Sequence, residues 1–521
     1  MQPRTFFRNA LAGLCRAGIL CLLCLAIGCQ GPRHNKKTNA QMNPCLVIVL
    51  DGLRPDYVTP VLMPNLHALG QRGVVGQNHH SVFPTVTRVN AASMATGVYP
   101  AAHGLLGNSV YYPKISPRRG LDTGDAKNLQ RIEEATGGKL LTAPSLGERL
   151  QKAGKKLLVV SSGSTGSAFL LNHKISGGAV INCEMVLPAA LQPRVDEILG
   201  PPPSDGYPND GRNGWAVDAL LKVGLPEVRP DVTILWLSDP DHTQHKAGVG
   251  APLTLDSIRL VDAQVGRLLS GLVERGLKGR INIFVTSDHG FSTHTGSKDL
   301  KSLLIQKWLK DSDDSDDVVI VQGAIYVKDR DVERTRRIVA ELQKTDWVGA
   351  IFTKARGAGE TEGVIPGTLS MDLAHWTHAR AADILVSADW NERMNRYGYR
   401  GTSTQTGTAG HGTSSPFDIH NTLVASGPDI KLGETLSTPT GNIDFAPTIC
   451  HLLGIETDSR MDGRVLMELL RGGPSAGSIK VAHRIFQTEA RWTNGSYQLE
   501  LSQSKIGNTT YLNFTRVRRG P

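Results

Sequence analysis

Short apolar runs punctuate the chain, and between two of them apolar residues recur at helical spacing. Cys45–Leu50 reads CLVIVL, an unbroken run that predicts a strand buried on both faces, as in the middle of a parallel sheet. Residues 157–160, Val232–Leu237, residues 281–286 and residues 421–425 follow the same pattern. Before the run at 281, Ile258, Val261, Val265, Leu268, Leu269 and Leu272 mark one face of a helix. That succession is a βαβ unit. It predicts an α/β fold: a doubly wound, mostly parallel central sheet with helices on both faces. Residues 311–317 (DSDDSDD) read as an acidic surface turn, and residues 318–352 as strand, helix, strand, a small inserted subdomain. Residues 201–203 are a proline-rich loop, and 209–215 a turn entering a helix.

The first residues follow different rules. Arg4, Arg8 and Arg16 flank an apolar stretch over residues 17–28, too short for a comfortable membrane span and of signal-peptide length. It ends Leu25-Ala26-Ile27-Gly28-Cys29. Small residues before a cysteine resemble the bacterial lipobox, in which that cysteine is acylated. Ala26 stands where leucine is commoner, and an ordinary signal peptide with Cys29 incidental is the alternative. The expected organisation is a signal peptide at 1–28, a flexible tether at 29–43, an α/β domain at 44–470 and a C-terminal extension at 471–521. Insertions are expected near 110–215 and 300–400. Export to a bacterial cell envelope follows, with the membrane as a partner through a lipid on Cys29.

Composition removes whole classes. With 40% hydrophobic residues the chain is no disordered polymer, and only its first residues are apolar enough to suggest a membrane segment. There are 7 cysteines in 521 residues. Cys15, Cys21 and Cys24 fall in the signal, and Cys45 and Cys450 read as small core residues. No CxxC pair survives beyond the signal, which argues against a thiolate metal site. A net charge of +9 is mild, and no Lys/Arg stripe alternates with aromatics, so no nucleic-acid partner is expected.

The chemistry sits where predicted strands end. In open parallel sheets, ligands bind outside the carboxyl ends of the strands. The first run ends in Asp51-Gly52, the run at 232 leads into Asp239-Pro240-Asp241-His242-Thr243-Gln244-His245, and the run at 281 ends in Ser287-Asp288-His289-Gly290. Gly410-His411-Gly412 precedes the run at 421. Carboxylates with imidazoles form the sulfur-free ligand set for Zn²⁺, though Mn²⁺ accepts it too. Asp241 and His245, four apart, share one face of a helical turn. Phe83-Pro84-Thr85-Val86-Thr87-Arg88-Val89-Asn90 precedes a short helical stretch closed by Gly97. A threonine there is ordinarily an N-cap, but a helix start also favours a bound phosphate, and a metal would activate the hydroxyl as a nucleophile.

Taken together, these segments resemble the type I phosphodiesterase/nucleotide pyrophosphatase family of the alkaline phosphatase superfamily. The likeness rests on Val49-Leu50-Asp51-Gly52, Phe83-Pro84-Thr85-Val86-Thr87, Ala95 to Pro100 with His103-Gly104, and Gly107-Asn108-Ser109. It continues through Pro240 to Lys246, Val285 to Gly290, Gly410-His411-Gly412, Asn442 to Thr448 and Asp462-Gly463-Arg464. The resemblance implies two divalent metal ions, with Zn²⁺ the expected metal. One would take Asp241, His245 and His411; the other would take Asp51, Asp288, His289 and the nucleophile Thr87. Asn108 would donate to a phosphoryl oxygen, beside the backbone N–H of Arg88. The implied activity is hydrolysis of a small phosphorylated substrate through a phosphothreonine.

One departure matters. Nucleotide-cleaving members carry an aromatic after the nucleophile, where this chain has Arg88. An arginine there suits extra negative charge, as in a phosphomonoester, or serves as an ion-pair residue. A phosphomonoesterase and a phosphonoacetate-hydrolase-like enzyme are therefore the rival readings, and a non-catalytic envelope binding protein is a third. A sulfatase would need a Cys or Ser in a Cys/Ser-x-Pro-x-Arg motif at the position of Thr87, and none begins there. Residues 122–125 and 162–167, polar and rich in glycine, are candidate pocket loops. Oligomeric state is not encoded in any visible pattern.

Overall fold

The run CLVIVL forms strand β1 (Cys45–Leu50), and its side chains divide strictly between two apolar layers. Cys45, Val47 and Val49 pack with Ala91, Ala95, Phe169 and Ile449 from helices on one face. Leu46, Ile48 and Leu50 pack with Leu66, Ile258, Val261 and Leu268 on the other. Burying each large apolar side chain is worth roughly 1.5–3 kcal/mol, which is why an unbroken apolar run settles between two helical layers. The computed structural model describes residues 42–175, 177–456 and 461–521. The expected signal peptide, Cys29 and nearly all of the tether lie outside the described residues. Among the described residues, no helix is long and apolar enough to cross a membrane.

The remaining strands of the central sheet are β2 (Val74–His80), β3 (Leu157–Ser161), β4 (Ala179–Asn182), β5 (Met185–Leu187) and β6 (Val232–Leu237). They continue with β7 (Asn282–Thr286), β8 (His420–Ser426), β9 (Glu434–Leu436) and β10 (Thr440–Gly441). Their spatial order is β9-β2-β8-β7-β1-β6-β3-β4-β5, with β10 also paired to β2. The middle, β7-β1-β6-β3-β4, is parallel throughout. The run at 421 corrects the expectation of one more parallel strand: β8 is antiparallel to both neighbours, β7 and β2. A strand buried on both faces shows the same apolar run whichever way it points, so the pattern could not reveal its direction. Helix Pro252–Glu274 buries Ile258, Val261, Val265, Leu268 and Leu272 of the predicted stripe, and Leu269 is half-buried at its margin.

Of the span near 110–215, residues 157–187 supply three strands of this sheet. In the span near 300–400 a separate sheet forms, ordered Val318–Val321, Ala324–Val327, Ile384–Ala388, Val348–Thr353, Leu369–Ser370, with helix Val332–Lys344 beside it. The C-terminal residues fold as a three-stranded meander, Ala482–Trp492, Gly495–Ile506 and Thr509–Gly520. Tyr497, Leu499 and Leu501 join the apolar cluster of the inserted sheet, and the Tyr497 hydroxyl donates to Gly349 O at 2.9 Å. The Tyr511 hydroxyl donates to Asp444 Oδ2 at 2.8 Å and accepts from Arg464 Nε at 3.0 Å. The meander is thereby fastened both to the inserted sheet and to the central domain.

Gly52 turns the chain out of β1. Its φ is +67°, and a Cβ there would meet Asp241 Cβ at 2.9 Å. Left-handed backbone and close approach both demand glycine. Gly52→Ala is expected to lower stability by roughly 2 kcal/mol. Urea unfolding of the metal-free protein measures it; a change below about 0.5 kcal/mol would show that the turn tolerates a side chain.

Candidate active site

Strand register decides which side chains meet. Val49 pairs with Thr286, so two residues further on Asp51 and Asp288 leave adjacent parallel strands at the same height. Leu50 pairs with Leu237 on the other side, and helix Asp241–Ala247 starts four residues beyond β6. Asp241 N–H donates to Asp51 O at 2.9 Å, which ties that helix to the end of β1. Asp241 and His245 are one helical turn apart, with His245 Nε2 at 3.3 Å from Asp241 Oδ1. His411 arrives in the loop before β8. Because β8 is antiparallel, the entrance to it lies at the same sheet edge as the exits from β1, β6 and β7. His411 Nε2 lies 3.4 Å from the same Asp241 oxygen.

Thr87 follows β2, a strand the apolar pattern did not announce. It is the first residue of helix Thr87–Thr96, and Val86 occupies the cap position with no side-chain bond. The hydroxyl is therefore not used as a cap; Thr87 Oγ1 lies 3.3 Å from His289 Nε2. Asn90 holds the approach to the helix in shape. Its Oδ1 accepts from Val82 N–H at 2.7 Å and its Nδ2 donates to Val82 O at 3.0 Å.

All three imidazoles are oriented by backbone carbonyls. His245 Nδ1 donates to Ala409 O at 3.0 Å, His289 Nδ1 to Gly290 O at 3.0 Å, and His411 Nδ1 to Thr85 O at 2.8 Å. In the neutral ring this leaves each Nε2 as a lone pair, the form a metal needs. His289 Nε2 faces Asp288 Oδ2 at 3.0 Å and Asp51 Oδ1 at 3.6 Å. Asp51 Oδ1, Asp241 Oδ1 and Asp288 Oδ2 are buried with no hydrogen-bond donor among the described residues. The partner oxygens of two are satisfied: Trp236 Nε1 donates to Asp51 Oδ2 at 2.8 Å, and Gly52 N–H to Asp288 Oδ1 at 3.1 Å. Three orphan carboxylate oxygens thus face three imidazole nitrogens. Acceptors gathered so tightly out of water need a cation or protons between them.

The titration directions express this strain. Burial, then repulsion from Asp288 and Asp241, pushes the Asp51 carboxyl well above its usual range. Burial opposes ionisation of Asp241 as well, but His245 and His411 overcome it and hold that carboxyl well below the ordinary value. Burial would likewise depress His245, yet Asp241 raises it to about 9. His411, deeper and stacked on His289 at 3.4 Å between ring centroids, falls to about 4 through burial and the neighbouring ring.

Among the described residues two sets of side chains bring donor atoms within metal-holding reach: Asp241, His289 and His411, and Asp51, Asp288 and His289. The residues fit a pair of divalent cations by their orphan oxygens and their fixed imidazoles. His289 belongs to both sets, whereas the sequence reading gave it to one cation only. His245 stands at the rim beside Asp241, its side chain half exposed.

Asn108 is hydrogen-bonded to the residue that follows Thr87. The Arg88 N–H donates to Asn108 Oδ1 at 2.9 Å, which fixes the amide and leaves its Nδ2 as the remaining donor group. That N–H is accordingly engaged with Asn108. The Arg88 guanidinium lies 3.6 Å from Asp122, and Arg88 Nε is buried without a partner among the described residues. The two candidate pocket loops hold one another: Gly166 N–H donates to Gly124 O at 2.8 Å, and Ser164 caps helix Thr165–Leu171. Sequence reasoning missed Trp236, which supports Asp51, and Asn442, whose Nδ2 donates to Asp288 O at 2.8 Å and to Asn90 Oδ1 at 3.0 Å. It also missed Asp418, a buried acceptor for Thr413 N–H at 3.0 Å that steadies the loop carrying His411.

The chain is 26% identical over 258 residues to a venom phosphodiesterase of Crotalus durissus collilineatus, covering 48% of this chain and 26% of that one. It is 27% identical over 271 residues to human ectonucleotide pyrophosphatase/phosphodiesterase family member 1, covering 51% of this chain and 25% of that protein. The match thus spans about a quarter of the length of these relatives. Among solved structures, murine ectonucleotide pyrophosphatase/phosphodiesterase 5, an inactive form in complex with AMP, superposes with a TM-score of 0.56 at 19% identity, covering 80% of this chain and 96% of the other. The profile of the type I phosphodiesterase / nucleotide pyrophosphatase family matches residues 45–413, most of the central domain, and the chain belongs to that family.

Proposed function

We propose that the protein is a metal-dependent phosphoric ester hydrolase in which Thr87 is the nucleophile. The observation that carries this is the uncapped Thr87 hydroxyl, 3.3 Å from His289 Nε2, at the edge of the orphan carboxylate oxygens. Two divalent cations, with Zn²⁺ the ion this Asp and His set suits, would be held by Asp241, His245 and His411 and by Asp51, Asp288, His289 and Thr87, and when bound supply the positive charge that favours an ionised hydroxyl and offsets phosphoryl charge. Thr87 Oγ1 attacks phosphorus; a bond from threonine to phosphorus forms as the bond to the departing oxygen breaks. Water then cleaves the threonine ester. Asn108, its amide fixed by the Arg88 N–H, donates Nδ2 to a non-bridging oxygen. Trp236 and Asn442 keep the metal-facing groups in place through Asp51 and the backbone of Asp288.

Diester or pyrophosphate cleavage is the first reading, in keeping with the names its relatives carry. One observation favours a monoester or phosphonate instead: the cationic Arg88, one residue after Thr87, would offset an extra negative charge on the substrate. The proposal includes export to a cell envelope and anchoring through a lipid on Cys29, with a small phosphorylated compound as substrate.

Two measurements test the assignment. Thr87→Ala is expected to lower kcat roughly 10³-fold or more, with Thr87→Ser retaining part of the rate. The readout is turnover of bis-p-nitrophenyl phosphate, p-nitrophenyl phosphate, ATP and phosphonoacetate. Full turnover by Thr87→Ala rejects the nucleophile, and retained metal with no turnover on any substrate supports the binding-protein reading. Separately, dialysis against a chelator is expected to abolish turnover and lower Tm, and Zn²⁺ to restore both. Elemental analysis that finds no metal in active protein defeats the two-cation reading.

A further inference from the structure

A cavity of about 330 Å³ lies beside the proposed nucleophile, and nothing in the chemistry above uses it. Val86, immediately before Thr87, and His411 border it, so it is continuous with the catalytic centre. Its volume is that of a small-molecule site. The central domain contributes Phe83 and Leu106; the inserted segment contributes Trp347, Trp376 and Leu385. Trp376 is locked in place because its Nε1 donates to Leu106 O at 3.0 Å, which joins the two walls. The lining is therefore aromatic and aliphatic next to a centre built for phosphate.

Its few polar groups are informative. Lys298 and Asp299 both line the cavity and their charges offset one another. An anionic leaving arm, such as the remainder of a pyrophosphate, would find no net positive charge there. His294 also lines it. His294 Nδ1 donates to Thr406 O at 2.8 Å, and its Nε2 edge is buried against Gly410, so this ring offers the occupant little polar contact.

We propose that this cavity receives the alcohol arm of the substrate, and that the arm is apolar or aromatic. The inference rests on the hydrolase reading and names its substrate class: phosphate esters of bulky apolar alcohols. When the threonine–phosphorus bond forms, the bond between phosphorus and the alcohol oxygen breaks. The electron pair stays on that oxygen, which takes a proton from water, and the free alcohol is the cavity's last occupant.

The test fills the cavity. Ala388, half-buried at the end of strand Ile384–Ala388, faces it, and Ser109 sits in its wall on strand Ser109–Val110. Calorimetric titration of the full-length protein with 1-naphthol is expected to show binding that Ala388→Phe weakens at least tenfold. The same substitution is expected to lower at least tenfold the ratio of kcat/KM for 1-naphthyl phosphate over ethyl phosphate. If Ala388→Phe does not fold, as judged by its melting curve, Ser109→Phe is read in its place. Equal binding and an equal ratio in wild type and variant overturn the assignment, as does turnover of ethyl esters by a protein that does not bind 1-naphthol. Naphthol binding that the variant loses, with no turnover of any ester, defeats the hydrolase reading alone and with it the cavity's role in catalysis, while its apolar preference stands.

Discussion

Three carboxylates, each with an orphan oxygen, lie where parallel strands discharge their chains. At an effective dielectric of about 20, two unit charges 4 Å apart interact by roughly 4 kcal/mol, so three ionised neighbours out of water oppose one another strongly. The upward push on Asp51 by burial and by Asp288 and Asp241 is the direct sign of that opposition. A sequence selected for stability alone would have relieved it with one Asn. Retaining it makes sense if positive charge enters the site, since each repulsive carboxylate then becomes a ligand. The rest of the arrangement follows from keeping those oxygens close together and dry.

The sheet meets that demand by register. Equal heights on β1 and β7 set Asp51 against Asp288, and Gly52 lets the helix that carries Asp241 approach within contact of the turn. Antiparallel β8 then solves a problem that a purely parallel sheet cannot: it brings a residue that precedes a strand, His411, to the edge where the others follow theirs. Imidazoles fixed by carbonyls add rigidity to this edge. Asn442 joins the helix that begins at Thr87 to the Asp288 backbone through Asn90, so the hydroxyl and the carboxylates are parts of one frame.

Much of this was legible because the relevant strands are buried on both faces and so advertise themselves as apolar runs. What failed to show has a common cause: partners distant in sequence. β2, reading VVGQNHH, looks too polar for a central strand. Yet His79 and His80 are buried and satisfied, His79 by Thr440 and Asn442, His80 by Thr440 and Asn513. They also show how little a histidine says alone, since these two are core residues and His245, at the rim, is beside a cluster of metal-ligating character. The direction of β8 left no trace in hydrophobicity. By contrast, the alternation of Tyr497, Leu499 and Leu501 was a readable strand signal in a stretch whose role composition left blank. The walls of the cavity come from segments some 300 residues apart, between Phe83 and Leu385, and no local pattern foreshadows such a meeting.

The residues on either side of Thr87 border unlike surroundings. Val86 lines the apolar cavity, whereas Arg88 reaches toward Asp122 with its Nε unpartnered. An ester of phosphoric acid is asymmetric in the same sense: one part carries the charge and another carries the carbon. Thr87, as the proposed nucleophile between a cation and an apolar wall, would sort those parts before any bond changes. This chain carries aromatic surface on that wall in its inserted segment, on Trp347 and Trp376. On the proposed reading, the arm beside Val86 is held by apolar contact and the part beside Arg88 by charge. Substrate preference in this fold can therefore change without any change in the groups that perform the displacement.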